Sequence, residues 1–502
     1  MHLRRLGVVA VLLVAGAAAL VAAASSRSPP ARLPQGSVRI QIGNAPIGPP
    51  VKPGFLGLSL EYSSLTAYAG RDPRSPNPLL VRLIRDLAPD GSPVIRVGGD
   101  TTDWTWWPMR GVAKPPWARY VLTPLWMTLA RAVALATGAR LIPGINLEAD
   151  SPALAGAESR ALLHGLGRNL IAAFELGNEP EVYGEIGWYT DRAGVSVLGR
   201  PPSYGFRTYL ADYRAISSAL PRSVPLAGPS LALTWPLRTA GPFLSANPRV
   251  RVFTFHFYPL KRCYNPRSST TYPTLAHLLS PRATALPSGT ETAVAAAHAR
   301  GVEVRVDEVN SVSCRGLNGL SDAFASALWV LNALPRLAQA GVDGVNVHTL
   351  PHVAYEPFAF TRVAGSWQAS VKPLFYGLMM FAQAAPADAR MLHIRHPTVS
   401  GLQTWATRGP GGAIRLVLTN TSAVRRLTLA VRPPGGISSA SVERLTAPDL
   451  TATSGVTLAG QSFGPAGLLS GRRWAPRLQP VHGRYVVGLP PASAALLTLK
   501  LP

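Results

Sequence analysis

The segment FELGNEPEVYG (174–184) closes an apolar run on Asn178, Glu179 and Pro180, and RVDEVNSVSCRG (305–316) closes another on Asp307 and Glu308. A carboxylate at the end of a strand can donate a proton or attack an electrophilic carbon. Two of them over one substrate are what cleavage of a glycosidic bond requires: one protonates the leaving oxygen, and the other attacks or supports the anomeric carbon. A spacing of about 5 Å between them implies a retaining double displacement. Glu179 is read as the acid/base and Glu308 as the ionised nucleophile. A lone Glu at a strand end is more often a surface or capping residue, and Glu61, Asp100, Asp103, Glu148 and Asp150 are rivals on the same ground. The case for the pair rests on the elements that would bring them together.

Between residues 53 and 384 eight short apolar runs alternate with helical stretches: GFLGLSLEY (54–62), PVIRVGG (93–99), ARLIPGIN (139–146), LIAAFELGN (170–178), VPLAGPS (224–230), RVFTFHFY (251–258), VEVRVDEVN (302–310) and GVDGVNVHT (341–349). The intervening segments show i, i+3, i+4 apolar spacing, and several end at Gly. This is the α/β pattern of a (β/α)8 TIM barrel, whose chemistry sits at the C-terminal ends of its strands. A doubly wound open sheet competes, but no G-x-G-x-x-G follows the first strand. Glu179 ends the fourth run and Glu308 the seventh, on opposite sides of the barrel mouth. Strict alternation would put Glu308 on the side of Val302, Val304 and Val306, with Asp307 pointing away. His256 and Tyr258, ending the sixth run, are placed to hold Glu308, and Asn178 to bond a sugar hydroxyl.

After residue 385 the texture changes to short alternating runs separated by Gly, Pro, Asn and Ser, the pattern of an antiparallel β-sandwich over 385–502, to which SVRIQI within 37–52 could add a strand. Residues 1–24 combine Arg4 and Arg5 with a long apolar run ending in small residues, which reads as a cleaved export signal, followed by a linker at 25–36. An uncleaved membrane anchor is the competing reading. The formal charge of +24 comes from 49 basic and 25 acidic residues, with Lys only at 52, 114, 261, 372 and 500. Such an excess favours polyanions, but no basic stripe interleaved with aromatics marks a nucleic-acid site, and none is expected as a partner. With two cysteines, Cys263 and Cys314, and no CxxC or His-rich pattern, neither a metal nor another cofactor is indicated.

LGNEPEVYG, VDEVNSVSCRG followed by LSDAFASALWVLN, HFYPLKRC and VGGDTTDWTWW together resemble glycoside hydrolase family 79, the heparanase and β-glucuronidase group. The resemblance spans most of 53–502. It implies a retaining hydrolase of β-linked glucuronic acid without metal or organic cofactor. It makes Glu179 the acid/base, Glu308 the nucleophile, Asn178 a sugar contact and Tyr258 an orienter of the nucleophile. Some members carry a tyrosine in the loop after the nucleophile; here Ser311, Ser313 and backbone amides stand there, and Tyr355 is the candidate hydroxyl donor to the uronate carboxylate, unless it packs under the sandwich. Asp100 completes the substrate-binding candidates. Trp104, Trp106 and Trp107 fit either a sugar-stacking wall or a core cluster. Cys263 and Cys314 follow adjacent strands, which in an exported chain favours a disulfide at the catalytic rim, with two free thiols as the alternative. The expectation is therefore a secreted or periplasmic enzyme acting on an acidic glycan. A neutral-sugar glycosidase on the same fold and a noncatalytic glycan-binding protein are the alternatives, and membrane contact would come only through an uncleaved N-terminus.

Overall fold

The computed structural model describes residues 33–89, 91–263 and 265–501. The signal segment, 1–24, and the linker as far as residue 32 lie outside the described residues. Among the described residues, no helix is long and apolar enough to cross a membrane.

Eight parallel strands close into a barrel: β1 (Leu56–Glu61), β2 (Val94–Gly98), β3 (Arg140–Ile145), β4 (Phe174–Leu176), β5 (Leu226–Leu231), β6 (Val250–Phe257), β7 (Glu303–Val309) and β8 (Gly344–Thr349). Strand β8 returns to β1 in register from Val345 opposite Leu56 to Thr349 opposite Leu60. These are the eight apolar runs of the sequence. They read as runs because helices cover the outside of a parallel sheet, so both faces are buried; β1, β5 and β8 are buried at every position. Three of the covering helices start at side-chain caps followed by proline: Asn77 accepts from the Leu79 amide, Thr123 from Trp126 and Ser151 from Leu154. The cap satisfies an orphan N–H, and the proline gives up a donor the first turn does not need.

Alternation fails where it matters most. The pairing of β7 shifts register against β6 between Phe255 and His256, and against β8 between Val306 and Val309. This bulge sets two consecutive side chains on the inner side. Asp307 therefore does not point away from Glu308; both reach the same guanidinium inside the barrel.

The C-terminal strands form an eleven-stranded sheet that the segment Val38–Pro50 enters, pairing antiparallel with Arg390–Arg395 and parallel with Leu427–Arg432. The sheet is antiparallel except at that one pairing. Its inward residues, among them Ile40, Ile42, Leu416, Leu429, Tyr485 and Leu497, make a core of their own. The helix Phe324–Gln339 joins the two units, since its first free amides, Phe324 and Ala325, donate to Ala452 and Leu450 beyond the barrel, each at 2.9 Å. The tryptophans after β2 are largely core: Trp106 packs with Trp117 and Trp188, whose rings stack at 4.8 Å, and Trp104 is covered by the Arg119 guanidinium at 3.9 Å.

Trp329, on the joining helix, is 1% exposed and donates its indole N–H to the Ala283 carbonyl at 2.8 Å. Trp329→Ala is expected to cost about 3–5 kcal/mol through the cavity it leaves, read as a lowered midpoint of urea unfolding; an unchanged midpoint would contradict this packing.

Candidate active site

Arg96 lies in the middle of β2, in an otherwise apolar strand, and is wholly buried. Its Nε donates to Glu175 Oε2 at 2.7 Å. Nη1 donates to Ser59 Oγ at 3.2 Å and Glu308 Oε1 at 2.7 Å, and Nη2 to Asn178 Oδ1 at 2.9 Å and Ser230 Oγ at 3.0 Å. All five N–H groups of the guanidinium are thereby used. Asp307 Oδ2 stands 3.5 Å from Nη2. A buried cation is tolerable only when paired and fully hydrogen-bonded, and here three carboxylates surround it. Gly98 makes the room: a Cβ at that position would stand 2.5 Å from Arg96 Nε.

Glu308 turns its second oxygen, Oε2, to the Tyr258 hydroxyl, which donates at 2.8 Å. The same hydroxyl is 2.8 Å from His348 Nδ1. Burial alone would raise the Glu308 carboxyl, but the positive charges of His256, His348 and Arg96 and the Tyr258 hydrogen bond outweigh it and hold the group well below the usual carboxylate range. Burial would lower His348, yet Glu308 and Glu61 raise it on balance. A relay results in which His348 Nδ1 donates to Tyr258 and Tyr258 donates to Glu308.

Glu179 follows β4 in a left-handed conformation (φ 48°, ψ 53°), a strained choice for a residue with a Cβ. The backbone is pinned there by its own amide, which donates to the Ser230 carbonyl at 3.0 Å. Its Oε1 accepts from His256 Nδ1 at 2.8 Å. The other ring nitrogen of His256, Nε2, lies 3.0 Å from Ser230 Oγ and 3.4 Å from Asp307 Oδ2. Burial opposes the charge on this ring, but Glu308 and Asp307 raise its pKa well above the ordinary value, so both nitrogens carry protons. His256 is 3.8 Å from Glu308. It therefore hydrogen-bonds Glu179 and reaches Glu308 as a longer ion pair, whose charge helps keep that carboxylate ionised.

Glu179, His256 and Glu308 each present an atom within 4.8 Å of the other two. By distance such a trio could clasp a cation, but an imidazolium has no lone pair to give. The two carboxylates differ in openness, with side-chain exposure of 28% for Glu179 and 6% for Glu308. A locked carboxylate beside an open one at this spacing suits attack by the first and proton transfer by the second.

The remaining candidates separate clearly. Asn178 has its Oδ1 on Arg96 and its backbone amide on Asp103 Oδ2 at 2.9 Å, which leaves its side-chain N–H groups for a ligand. Asp103 is a structural pin, also accepting from the amides of Leu147 and Glu148 and from the Tyr183 hydroxyl. Asp100 is exposed to the cleft. Loss of surrounding water and the negative charges of Glu61, Glu179 and Glu308 push its carboxyl up to about 7, and solvent in the open cleft tempers that rise. Tyr355 is buried against the site, its hydroxyl 3.3 Å from His348 Nδ1 and its ring 6.3 Å from that of Tyr258. Two amides after the nucleophile are already spent: Ser311 donates to Asn310 Oδ1 and Ser313 to the Leu260 carbonyl. The half-buried Ser313 hydroxyl remains available there. Cys263 and Cys314 form a disulfide, with Cα atoms 6.1 Å apart, that ties the loop after β6 to the loop after β7.

Arg96, Glu175, Ser230 and His348 were not among the residues singled out from sequence, and Asp307 was expected to point away from the site. The available signal was a charge inside an apolar strand, Arg96 in PVIRVGG and Glu175 in FEL, which burial forbids unless each has a partner.

Residues 384–496 match the family description "Glycosyl hydrolase family 79 C-terminal beta domain". A β-glucuronidase of Neurospora crassa is 22% identical over 456 residues, covering 80% of this chain and 78% of that protein. Among solved structures, a 4-O-α-L-rhamnosyl-β-D-glucuronidase from Fusarium oxysporum 12S, in complex with Rha-GlcA, superposes with a TM-score of 0.70 at 20% identity, over 91% of this chain and all of that one. A GH51 arabinofuranosidase from Xanthomonas axonopodis pv. citri superposes with a TM-score of 0.64 at 16% identity, over 92% of this chain and all of that one. At such identities the two structures establish a shared fold.

Arg96→Met is expected to cost about 3–5 kcal/mol, because it strands buried carboxylates without their cation; urea unfolding of the two proteins side by side reads this. Linkage adds a pH dependence. The raised His256 contributes stability that is complete below its unfolded value of about 6.5 and is lost as pH rises through its folded value. Glu308, lowered, contributes stability present above its unfolded value and lost only as pH falls through the folded one. Unfolding midpoints should decline on the alkaline side, and His256→Asn should flatten that decline.

Proposed function

We propose that this glycoside hydrolase of family 79 cleaves β-linked glucuronic acid by a retaining double displacement, with Glu308 as nucleophile and Glu179 as acid/base. The observation that carries this reading is the pair of carboxylates within 4.8 Å at the barrel mouth, one of them locked in its ionised form by Arg96 and Tyr258.

The chemistry divides between the two sides of the site. Glu308 attacks the anomeric carbon while Glu179 gives its proton to the glycosidic oxygen, so the C–O bond to the aglycone breaks as an ester to Glu308 forms. The His256 N–H aimed at Glu179 Oε1 supports the carboxylate left behind. Water then enters, Glu179 takes one of its protons, and the remaining hydroxide displaces Glu308 with a second inversion. Arg96 and Tyr258 receive the freed carboxylate in its original setting, so the nucleophile needs no rearrangement between turnovers. Asn178, through its free side-chain N–H groups, is assigned to a sugar hydroxyl beside the reacting carbon.

The sugar is argued from the relatives and from the donors that remain. The Neurospora crassa protein and the Fusarium oxysporum 12S structure are named as glucuronidases. The Tyr355 hydroxyl, beside His348, and the Ser313 hydroxyl in the loop after the nucleophile are the groups assigned to a uronate carboxylate. Asp100, open to the cleft, is assigned to another sugar hydroxyl. Export through residues 1–24 belongs to the same proposal, and the Cys263–Cys314 disulfide suits an oxidising compartment.

Hydrolysis of an aryl β-D-glucuronide followed by proton NMR is expected to release the β-anomer first, and Glu308→Gln to abolish turnover. Release of the α-anomer would remove the retaining mechanism, and turnover of the aryl glucoside or xyloside in its place would remove the acid sugar. Glu179→Gln should lose about 10²–10⁴-fold on a glucuronide with a poor leaving group and far less on an activated one. Added azide should restore rate by trapping the glycosyl-enzyme as the β-azide; equal losses on both substrates would exclude Glu179 as the acid.

A further inference from the structure

The outer face of the C-terminal sheet carries a feature that the barrel chemistry does not use. In Val38–Pro50, Ile40 and Ile42 point into the sheet's core while Arg39 and Gln41 point out. Gln41 stands opposite Arg395 on one neighbouring strand and opposite Arg432 on the other. The pairing of Val431 with Tyr485 continues the row to Arg484 on the next strand, Arg484–Leu489. Residues directly opposite one another share a face. Arg395, Gln41, Arg432 and Arg484 therefore form one ladder across four strands, about 14 Å long at the usual strand spacing, with Arg39 flanking it two residues along its strand.

Four further observations mark this ladder as a surface made for an anion. Among the described residues, Arg39, Arg395, Arg432 and Arg484 make no ion pair or hydrogen bond through their guanidinium groups, although Arg39, Arg395 and Arg432 are exposed and Arg484 half-buried. Carboxylates are scarce: between 385 and 502 only Asp388, Glu443 and Asp449 are acidic, and Glu443 is already paired with Arg473. Beside the ladder opens a groove of about 400 Å³ lined by Gln41, Asn44, Ile47, His393 and Arg395. One wall of it is held in shape by Arg408, whose guanidinium donates to both the carbonyl and the side-chain oxygen of Asn44. The chain's own N-terminus cannot neutralise the ladder, since residues 1–36 contain no Asp or Glu and carry Arg4, Arg5, Arg27 and Arg32.

We propose that this ladder and groove form a noncatalytic binding surface for an acidic polysaccharide, a linear polymer bearing uronate carboxylates, held on the C-terminal sheet apart from the barrel mouth. The choice of an acidic glycan over other polyanions rests on the reading of the active site as glucuronide-cleaving. An extended polymer with regularly spaced carboxylates matches unpaired guanidiniums set at strand spacing, and the polar groove walls can bond its hydroxyls. Anchoring there would keep the enzyme on an acidic polymer while the barrel works on its glycosidic bonds.

The test uses polygalacturonate, a polyuronate whose α-linkages a β-glucuronidase does not cut, so binding is read independently of catalysis. Wild type should be retained on immobilised polygalacturonate at low salt and not on neutral dextran. Arg395→Ser/Arg432→Ser/Arg484→Ser should bind about tenfold or more weakly, with the slope of log affinity against log salt reduced by about 2–3. The same variant should keep wild-type turnover of a soluble aryl β-D-glucuronide and an unchanged unfolding midpoint, which excludes misfolding. If wild type is not retained, or the variant is retained equally, the surface is not a binding site. Equal, ladder-dependent retention on single-stranded DNA would show a general polyanion patch and overturn the assignment to polysaccharide. Should no glycoside be hydrolysed while polygalacturonate binding still depends on the ladder, the catalytic reading falls and this one stands.

Discussion

The site is organised by one buried cation. Arg96 has no water to solvate it, and each of its five N–H groups must find an acceptor inside the barrel. It finds them on β1, β4, β5 and β7 and on the loop after β4, so a single guanidinium fixes the relative positions of half the strands. The reverse dependence is as strong. Glu175, Asp307 and Glu308 lie together at a density that like charges would not tolerate without it. Folding and the ionised state of Glu308 are two consequences of the same interaction.

Around that centre the charges sort into two chains. One runs from His348 through Tyr258 to Glu308 and keeps a carboxylate ready to attack. The other runs from Asp307 and Ser230 through His256 to Glu179 and reaches the more open carboxylate. Ser230 is the junction, since its single hydroxyl donates to Asp307 and accepts from Arg96 and His256. Two carboxylates of the same chemical kind thereby acquire different roles from their neighbours. The periphery supports this division: Asp103 ties the loops after β3 and β4 together, and the Cys263–Cys314 disulfide ties those after β6 and β7.

By itself the sequence determined the eight barrel strands, the change to a β domain near residue 385, and the two glutamates at the ends of β4 and β7. Those features are local: burial on both faces writes continuous apolar runs, caps and glycines mark helix ends, and a Glu between Asn178 and Pro180 stands out wherever it falls. The tertiary structure alone decided the rest. Arg96 is an ordinary letter in PVIRVGG until four other strands converge on it. His256 lies near both glutamates in any barrel, and only the side-chain geometry assigns it to Glu179. The bulge that turns Asp307 inward beside Glu308 depends on pairing with two neighbouring strands, and so does the ladder of Arg395, Gln41, Arg432 and Arg484. Strand register and buried charge are long-range properties, settled by which segments meet, and no window of sequence contains both partners.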